Sequence, residues 1–199
     1  MDIIKVIVIL LAAYLLGSLN FSVFLSRRLG ADIRTLGSGN AGATNMARCY
    51  GIWAGVAVLG FDVLKAAAAM ALGLLVAGEP GLAAAGIGCV LGHCFPILHR
   101  FQGGKAVSVG AVAAFFIDWR MGVAALAVFG LVVLLSKKVS LASISAAVTA
   151  LVLLFLLRTS VPKTVLTLFA ALMLILRHKD NVGRLMNGTE KDFQAKKRD

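Results

Sequence analysis

From Val6 to Ser26 the chain runs without a single charged residue. That feature constrains the fold more than any other. A bilayer core about 30 Å thick is crossed by roughly 20 apolar residues in helical form, because hydrocarbon offers no partner for a free backbone N–H or C=O. Comparable runs recur along all 199 residues, of which 60% are hydrophobic and 15% charged, with a mean hydropathy of +0.93. Soluble domains hold about 45–50% apolar and about 25% charged residues. These figures exclude a secreted disulfide scaffold, a nucleic-acid domain and a disordered chain. Cys49, Cys89 and Cys94 form no CxxC pair, so no metal site is expected. The run after Lys5 lacks a convincing small-residue cleavage site and reads as a retained first span, not a signal peptide.

The pattern predicts an all-α bundle of seven transmembrane helices in one domain, 1–199. The expected spans are Ile3–Ser26, Gly51–Ala77, Gly81–Leu98, Ala106–Ile117, Met121–Leu135, Leu141–Leu157 and Thr164–Leu176. The fourth is short and needs glycines in the membrane or local thinning, with Asp118-Trp119-Arg120 as an interfacial turn. The alternative fuses the fourth and fifth, and charge decides between the two. With seven spans, fifteen of the twenty Lys and Arg residues fall on one side: in 27–50, 99–105, 136–140 and the basic tail 177–199. The positive-inside rule makes that side cytoplasmic, with the N-terminus outside and the C-terminus inside. The formal net charge of +11 is thus mostly topology. Lys191, Lys196, Lys197 and Arg198 read as attraction to anionic lipid, at about 1 kcal/mol per residue.

Some residues are not explained by topology. The loop Gly37-Ser-Gly-Asn-Ala-Gly-Ala-Thr-Asn45, followed by Arg48, combines three glycines with hydroxyl, amide and guanidinium donors. It can converge N–H groups on an oxyanion or be a flexible turn, and it is not a Walker A sequence. A second loop reads Gly92-His-Cys-Phe-Pro96 and then Phe101-Gln-Gly-Gly-Lys105. Lys105 stands at a helix start, where the macrodipole disfavours a cation unless an anion binds between them. His93 can be a structural imidazole or can position or deprotonate a hydroxyl. Ser140 is expected as an N-cap, and Ser143 one turn further in as a ligand contact. Asn181 is expected to fold back onto the loops, with Glu190 fixing local structure. Asp62 and Lys65 share one face of the second span, as a packing lock or a functional pair. There is no G-x-S-x-G elbow, no H-E-x-x-H and no H-x4-D pattern. Acyl transfer from an activated donor would need mainly positioning and charge stabilisation.

Ser38-Gly-Asn-Ala-Gly-Ala-Thr-Asn45 with Arg48, Gly92–Pro96 running on to Phe101–Lys105, and Asn181–Glu190 resemble the three cytoplasmic motifs of the bacterial acyl-phosphate:glycerol-3-phosphate acyltransferases, the PlsY family. Gly17-Ser18 and Asp62 with Lys65 are similar to further family features. The likeness covers nearly the whole chain. Departures are Asn20 in place of proline, Ala66 in place of glycine, and Ala106 and Val109 in place of the glycine and threonine usual after Gly-Gly-Lys.

The resemblance implies acyl transfer from acyl phosphate to the 1-hydroxyl of glycerol 3-phosphate, giving lysophosphatidic acid and phosphate. Neither acyl-CoA nor acyl carrier protein is expected as direct donor. No cofactor, nucleic acid or obligate protein partner is expected, and the setting would be the bacterial cytoplasmic (inner) membrane. On the same grounds Ser38, Asn40, Gly42, Thr44, Asn45 and Arg48 would form one wall of a phosphate site, and Gly103, Gly104 and Lys105 the other. His93, Ser143 and Asn181 would orient the acceptor, with Ser38, His93 and Lys105 as the catalytic candidates. A substrate phosphate oxygen or His93 would take the hydroxyl proton. The competing class is a membrane transporter of a phosphorylated solute.

Overall fold

The computed structural model describes residues 2–196, so Lys197 and Arg198 lie outside the described residues. Helix α1 (Ile3–Gly17) opens on Asp2, whose carboxylate accepts from the N–H groups of Ile4 and Lys5. The expected first span Ile3–Ser26 falls within one apolar stretch, Ile3–Arg28, inside which α1 stops at Gly17 and α2 (Phe21–Arg28) restarts after Asn20. Asn20 Oδ1 accepts from Val23 N–H at 3.2 Å and from Ser22 Oγ at 2.7 Å. An N-cap asparagine thus starts a helix where the resembled family carries proline. Lys65 stitches this break to the second span by donating to the Leu19 carbonyl at 2.8 Å.

The short α3 (Ala43–Tyr50) leads into α4 (Ile52–Cys94), which is interrupted at Ala77 and Gly78. Gly78 has a φ of 62°, which an L side chain resists, and Pro80 follows it. The two limbs fold back on each other. His93 Nδ1 lies 3.6 Å from Asp62 Oδ1, whereas 31 residues of straight helix would separate them by about 46 Å. Gly73 and Gly81 meet at the bend so closely that a Cβ on either would strike the other's carbonyl. Gly88 and Gly92, one turn apart, bring the second limb against the α1 backbone at Leu10 and Tyr14, and Gly17 packs on Cys89. Small-residue seams of this kind hold helices together where lipid removes the hydrophobic drive.

Helices α5 (Val107–Ile117), α6 (Trp119–Ser136), α7 (Val139–Leu157) and α8 (Val161–Arg177) then pack neighbour on neighbour, with α8 returning onto α5 to close a ring of four. Asp118 separates α5 from α6. Its carboxylate accepts from Arg120 N–H at 2.9 Å and pairs with the Arg120 guanidinium. Helix α9 (Lys179–Met186) leaves α8 at 56°. Among the described residues, four stretches are long and apolar enough to cross a membrane, or five if α8 and α9 make one bent span; 52–99 counts as one of them, and α5 has only 11 residues. The exterior is apolar, with Leu75 81%, Leu134 79% and Phe155 79% exposed. Such a surface is stable only in lipid.

The four basic segments meet on one face. Arg34 donates to the His99 carbonyl at 2.8 Å, Arg177 to the Gly104 carbonyl at 3.1 Å, Phe193 N–H to the Lys137 carbonyl at 2.7 Å and Lys196 N–H to the Ala47 carbonyl at 3.1 Å. The opposite end carries the Glu79–Lys163 ion pair at 3.0 Å. Lys191 and Lys196 therefore belong to a strap laid across the basic face, with the Lys191 carbonyl accepting from Arg48. The strap fixes their main chain, and both lysine side chains stay exposed on that face.

Candidate active site

The glycine-rich loop is shaped by Asn45, which is fully buried in α3. Its Oδ1 accepts from Ser38 N–H at 2.9 Å, and its Nδ2 donates to the Ile33 and Leu36 carbonyls at 3.2 and 2.9 Å. Gly37, at φ 57°, packs where a Cβ would collide with that amide. Asn45, expected as a ligand donor, thus spends both ends of its amide on the loop. Ser38, Asn40, Gly42, Thr44, Asn45 and Arg48 line a cavity of about 690 Å³.

Gly103 and Gly104 are held against the end of α4. Gly104 N–H donates to the His93 carbonyl at 2.9 Å, and a Cβ on Gly104 would enter the His93 ring at Nε2. A Cβ on Gly103 would meet the same carbonyl, while the carbonyls of both glycines accept from Arg177. The pair is required by close approach to the end of α4. Gly103 lines only an adjoining cavity of about 310 Å³, and Gly104 lines neither. Arg177 is held in turn over the Phe95 ring, 5.2 Å from its centroid.

His93 is buried with Nδ1 3.4 Å from Lys65 Nζ and 3.6 Å from Asp62 Oδ1. Lys65 Nζ and Asp62 Oδ1 are 2.7 Å apart, and Asp62 Oδ2 accepts from Ser108 Oγ at 3.3 Å. The Asp62–Lys65 pair therefore locks the α4 hairpin to the α1–α2 break, and Asp62 also reaches the cavity wall. Removing one partner of such a buried pair costs about 3–5 kcal/mol.

Lys105 lines both cavities, as do Ser38, Asn40 and Arg184, and its ammonium donates to Asn181 Oδ1. Asn181 Nδ2 donates to Glu190 Oε1 at 2.7 Å, Ser140 Oγ donates to the same oxygen at 2.5 Å, and Arg184 Nε donates to Glu190 Oε2 at 2.7 Å. Ser140 is therefore no N-cap. It lies inside α7, whose cap position is Lys138. Ser143 lines the cavity with its hydroxyl turned back to the Val139 carbonyl at 2.8 Å. Arg184, Ser108 and His178 line the cavity as well, and none of the sequence motifs singles them out as ligand contacts. Arg184 follows Asn181 by three residues within α9, so helical spacing is the available signal there, whereas Ser108 lies in the first turn of α5 beyond the left-handed Ala106.

Burial pushes the Lys105 ammonium down to about 8, helped by the nearby Arg184 and Arg177 charges. Burial also holds the His178 imidazole below its usual range. A bound phosphate favours charged Lys105 and raises its pKa, so below about pH 8 the lysine is already protonated and binding takes up no proton. Above about pH 8 binding must take one up, and KM for a phosphorylated substrate should rise by up to about tenfold per pH unit. Lys105→Arg, which stays charged, should flatten that rise. KM measured from about pH 6.5 to about pH 9.5 checks this, and a flat wild-type profile would contradict it.

Ala106 caps α5 at φ 60°, ψ 15°, a left-handed conformation that costs an L residue about 1 kcal/mol. This is one of the places where the resembled family carries glycine. Ala106→Gly should therefore raise the thermal midpoint in detergent by about 2 °C. A fall in the midpoint would contradict it.

Fold and site define an integral membrane enzyme with a buried basic pocket opening into an apolar slot. A family model described as glycerol-3-phosphate acyltransferase matches residues 7–188, and the chain belongs to that family of acyltransferases. Among its relatives are glycerol-3-phosphate acyltransferases of Acaryochloris marina, 38% identical with 96% of this chain and 93% of the relative covered, and of Syntrophotalea carbinolica, 40% identical with 94% and 97% covered. The crystal structure of PlsY, an integral membrane glycerol 3-phosphate acyltransferase, in its glycerol 3-phosphate form superposes with a TM-score of 0.91 at 32% identity, covering 95% of this chain and 96% of that one. Its lysophosphatidic acid form gives 0.88 at the same identity, covering 95% of each.

Proposed function

We propose that the chain transfers a fatty acyl group from acyl phosphate to the 1-hydroxyl of glycerol 3-phosphate, releasing lysophosphatidic acid and phosphate. The observation that carries this reading is the junction at Lys105, where a polar, basic cavity open among the loops meets a slot that continues between α5, α6, α7 and α8. One substrate that is small and anionic and one that is anionic with a hydrocarbon tail fit those two spaces. The forms in which the related PlsY was crystallised name an acceptor and a product of that description.

In the reaction, the acceptor oxygen bonds to the acyl carbonyl carbon, the bond from that carbon to the phosphate oxygen breaks, and the hydroxyl proton leaves on the phosphate. The donor is already activated, so no cofactor is needed and the protein's task is positioning and charge stabilisation. Ser38, Asn40, Gly42, Thr44, Arg48, Lys105 and Arg184 surround the phosphates. Ser143 and Asn181 orient the acceptor. His93 acts as a positioning residue, since Nδ1 faces Asp62 and Lys65 and Nε2 packs on Gly104. His93 also lines the cavity, and we assign the base to the departing phosphate because it is already bonded to the reacting carbon.

The enzyme works with its basic face toward the cytoplasm of a bacterial inner membrane, C-terminus inside and N-terminus outside. Counting the two limbs of α4 separately, and α5 to α8 one by one, supports seven spans. Fifteen of the twenty basic residues belong to the loops and tail of the basic side, which supports the orientation. A transporter would need a polar path through the ring, whereas the slot is walled at its far end by Ile117 and Met121. The test is to supply palmitoyl phosphate and palmitoyl-CoA separately with glycerol 3-phosphate and identify the acylated product. Formation of 1-acyl-glycerol 3-phosphate from the phosphate alone is expected. Product from the thioester alone would overturn the donor assignment.

A further inference from the structure

We infer that Met121 and Ile117 form the floor of the acyl slot and set the length of chain the enzyme accepts, which rests on the acyl-phosphate reading above. The slot is bounded by the four-helix ring, and three helices give the same depth. Along α5 it runs from Val107 to Ile117, along α7 from Ser140 to Ala150, and along α8 from His178 back to Thr167. At about 1.5 Å per residue each of these paths is about 15 Å long.

The walls between are small: Gly110, Ala113, Ala114, Ala146, Ala147 and Ala170 leave room where larger residues would fill the ring. The sequence changes at the bottom. Ile117 is 5% exposed and Met121 wholly buried, and both belong to one buried cluster with Leu154. Leu154 stands one turn below Ala150 on the same face of α7 and does not line the slot. Thr167, at the same depth, has its hydroxyl committed to the Lys163 carbonyl at 2.8 Å, so it offers the slot no donor. A chain reaching this floor must bend, push the floor aside or leave methylenes outside the ring, and each methylene withheld from burial weakens the complex.

The experiment compares kcat/KM for octanoyl, lauroyl, palmitoyl and stearoyl phosphates in wild type, Ala150→Leu and Met121→Ala. Thermal unfolding of each variant confirms the fold. An extended lauroyl chain already reaches the floor and an octanoyl chain does not, so Ala150→Leu, which raises the floor, should lower the lauroyl-to-octanoyl ratio by about tenfold or more, the effect of excluding about two methylenes. Met121→Ala deepens the slot and should raise the palmitoyl-to-lauroyl ratio. If Met121→Ala does not fold, Thr167→Leu narrows the slot at the same depth from α8 and should repeat the Ala150→Leu result. Folded, active variants with wild-type ratios would overturn the floor assignment while leaving the reaction intact. A wild type inert toward every acyl phosphate would remove the donor reading, and this proposal with it.

Discussion

Lys105→Ala should lower kcat/KM for glycerol 3-phosphate by roughly a thousandfold while the protein stays folded. Lys105 lies at the boundary of the two cavities, and the N-terminal turn of α5 begins two residues later. Its burial makes the ammonium costly without an anion, as the pKa of about 8 shows. A phosphate placed there is neutralised by a charge already desolvated and aimed, so the interaction is far stronger than a surface ion pair. Steady-state kinetics beside a melting curve separate this from misfolding. Activity within tenfold of wild type would show that Arg184 and Arg48 suffice.

The second large effect is expected at Glu190, and it should differ in kind. Burial disfavours its charge, but donors from Ser140, Asn181 and Arg184 hold the carboxyl below its usual range. These donors come from α7 and α9, so one carboxylate ties the strap, the bent helix and the ring together. Glu190→Ala leaves three donors without their acceptor, at about 1 kcal/mol or more each. We expect the thermal midpoint to fall by about 8 °C, with activity lost because Asn181 no longer holds Lys105. Glu190→Gln keeps the shape, loses the charge and should fall between. An unchanged midpoint in Glu190→Ala would show that the strap is held elsewhere.

Much of this architecture was legible in the sequence because lipid imposes so simple a rule. The apolar runs marked every long helix, and the placement of Lys and Arg marked which loops share a face. The three motifs come together around one cavity. Tertiary approach was not legible. Gly103 and Gly104 look in sequence like a phosphate cradle, but their missing Cβ atoms serve contact with His93. Ser140 has the look of a cap because it stands immediately before the apolar run Leu141–Leu157, yet its partner lies fifty residues away. Asn45 reads as a donor to ligand, and at the cavity wall its amide is bonded to the Ser38 N–H and to carbonyls of its own loop. The break after Gly17 was hidden because Ser18, Leu19 and Asn20 carry no charge to interrupt the hydropathy.

The measurement that tests the central claim most directly is phosphate release by purified protein given palmitoyl phosphate, with and without glycerol 3-phosphate. The account predicts release that requires the acceptor, matches lysophosphatidic acid formed mole for mole, and disappears in Lys105→Ala. Folded wild-type protein that releases no phosphate with both substrates present would contradict it.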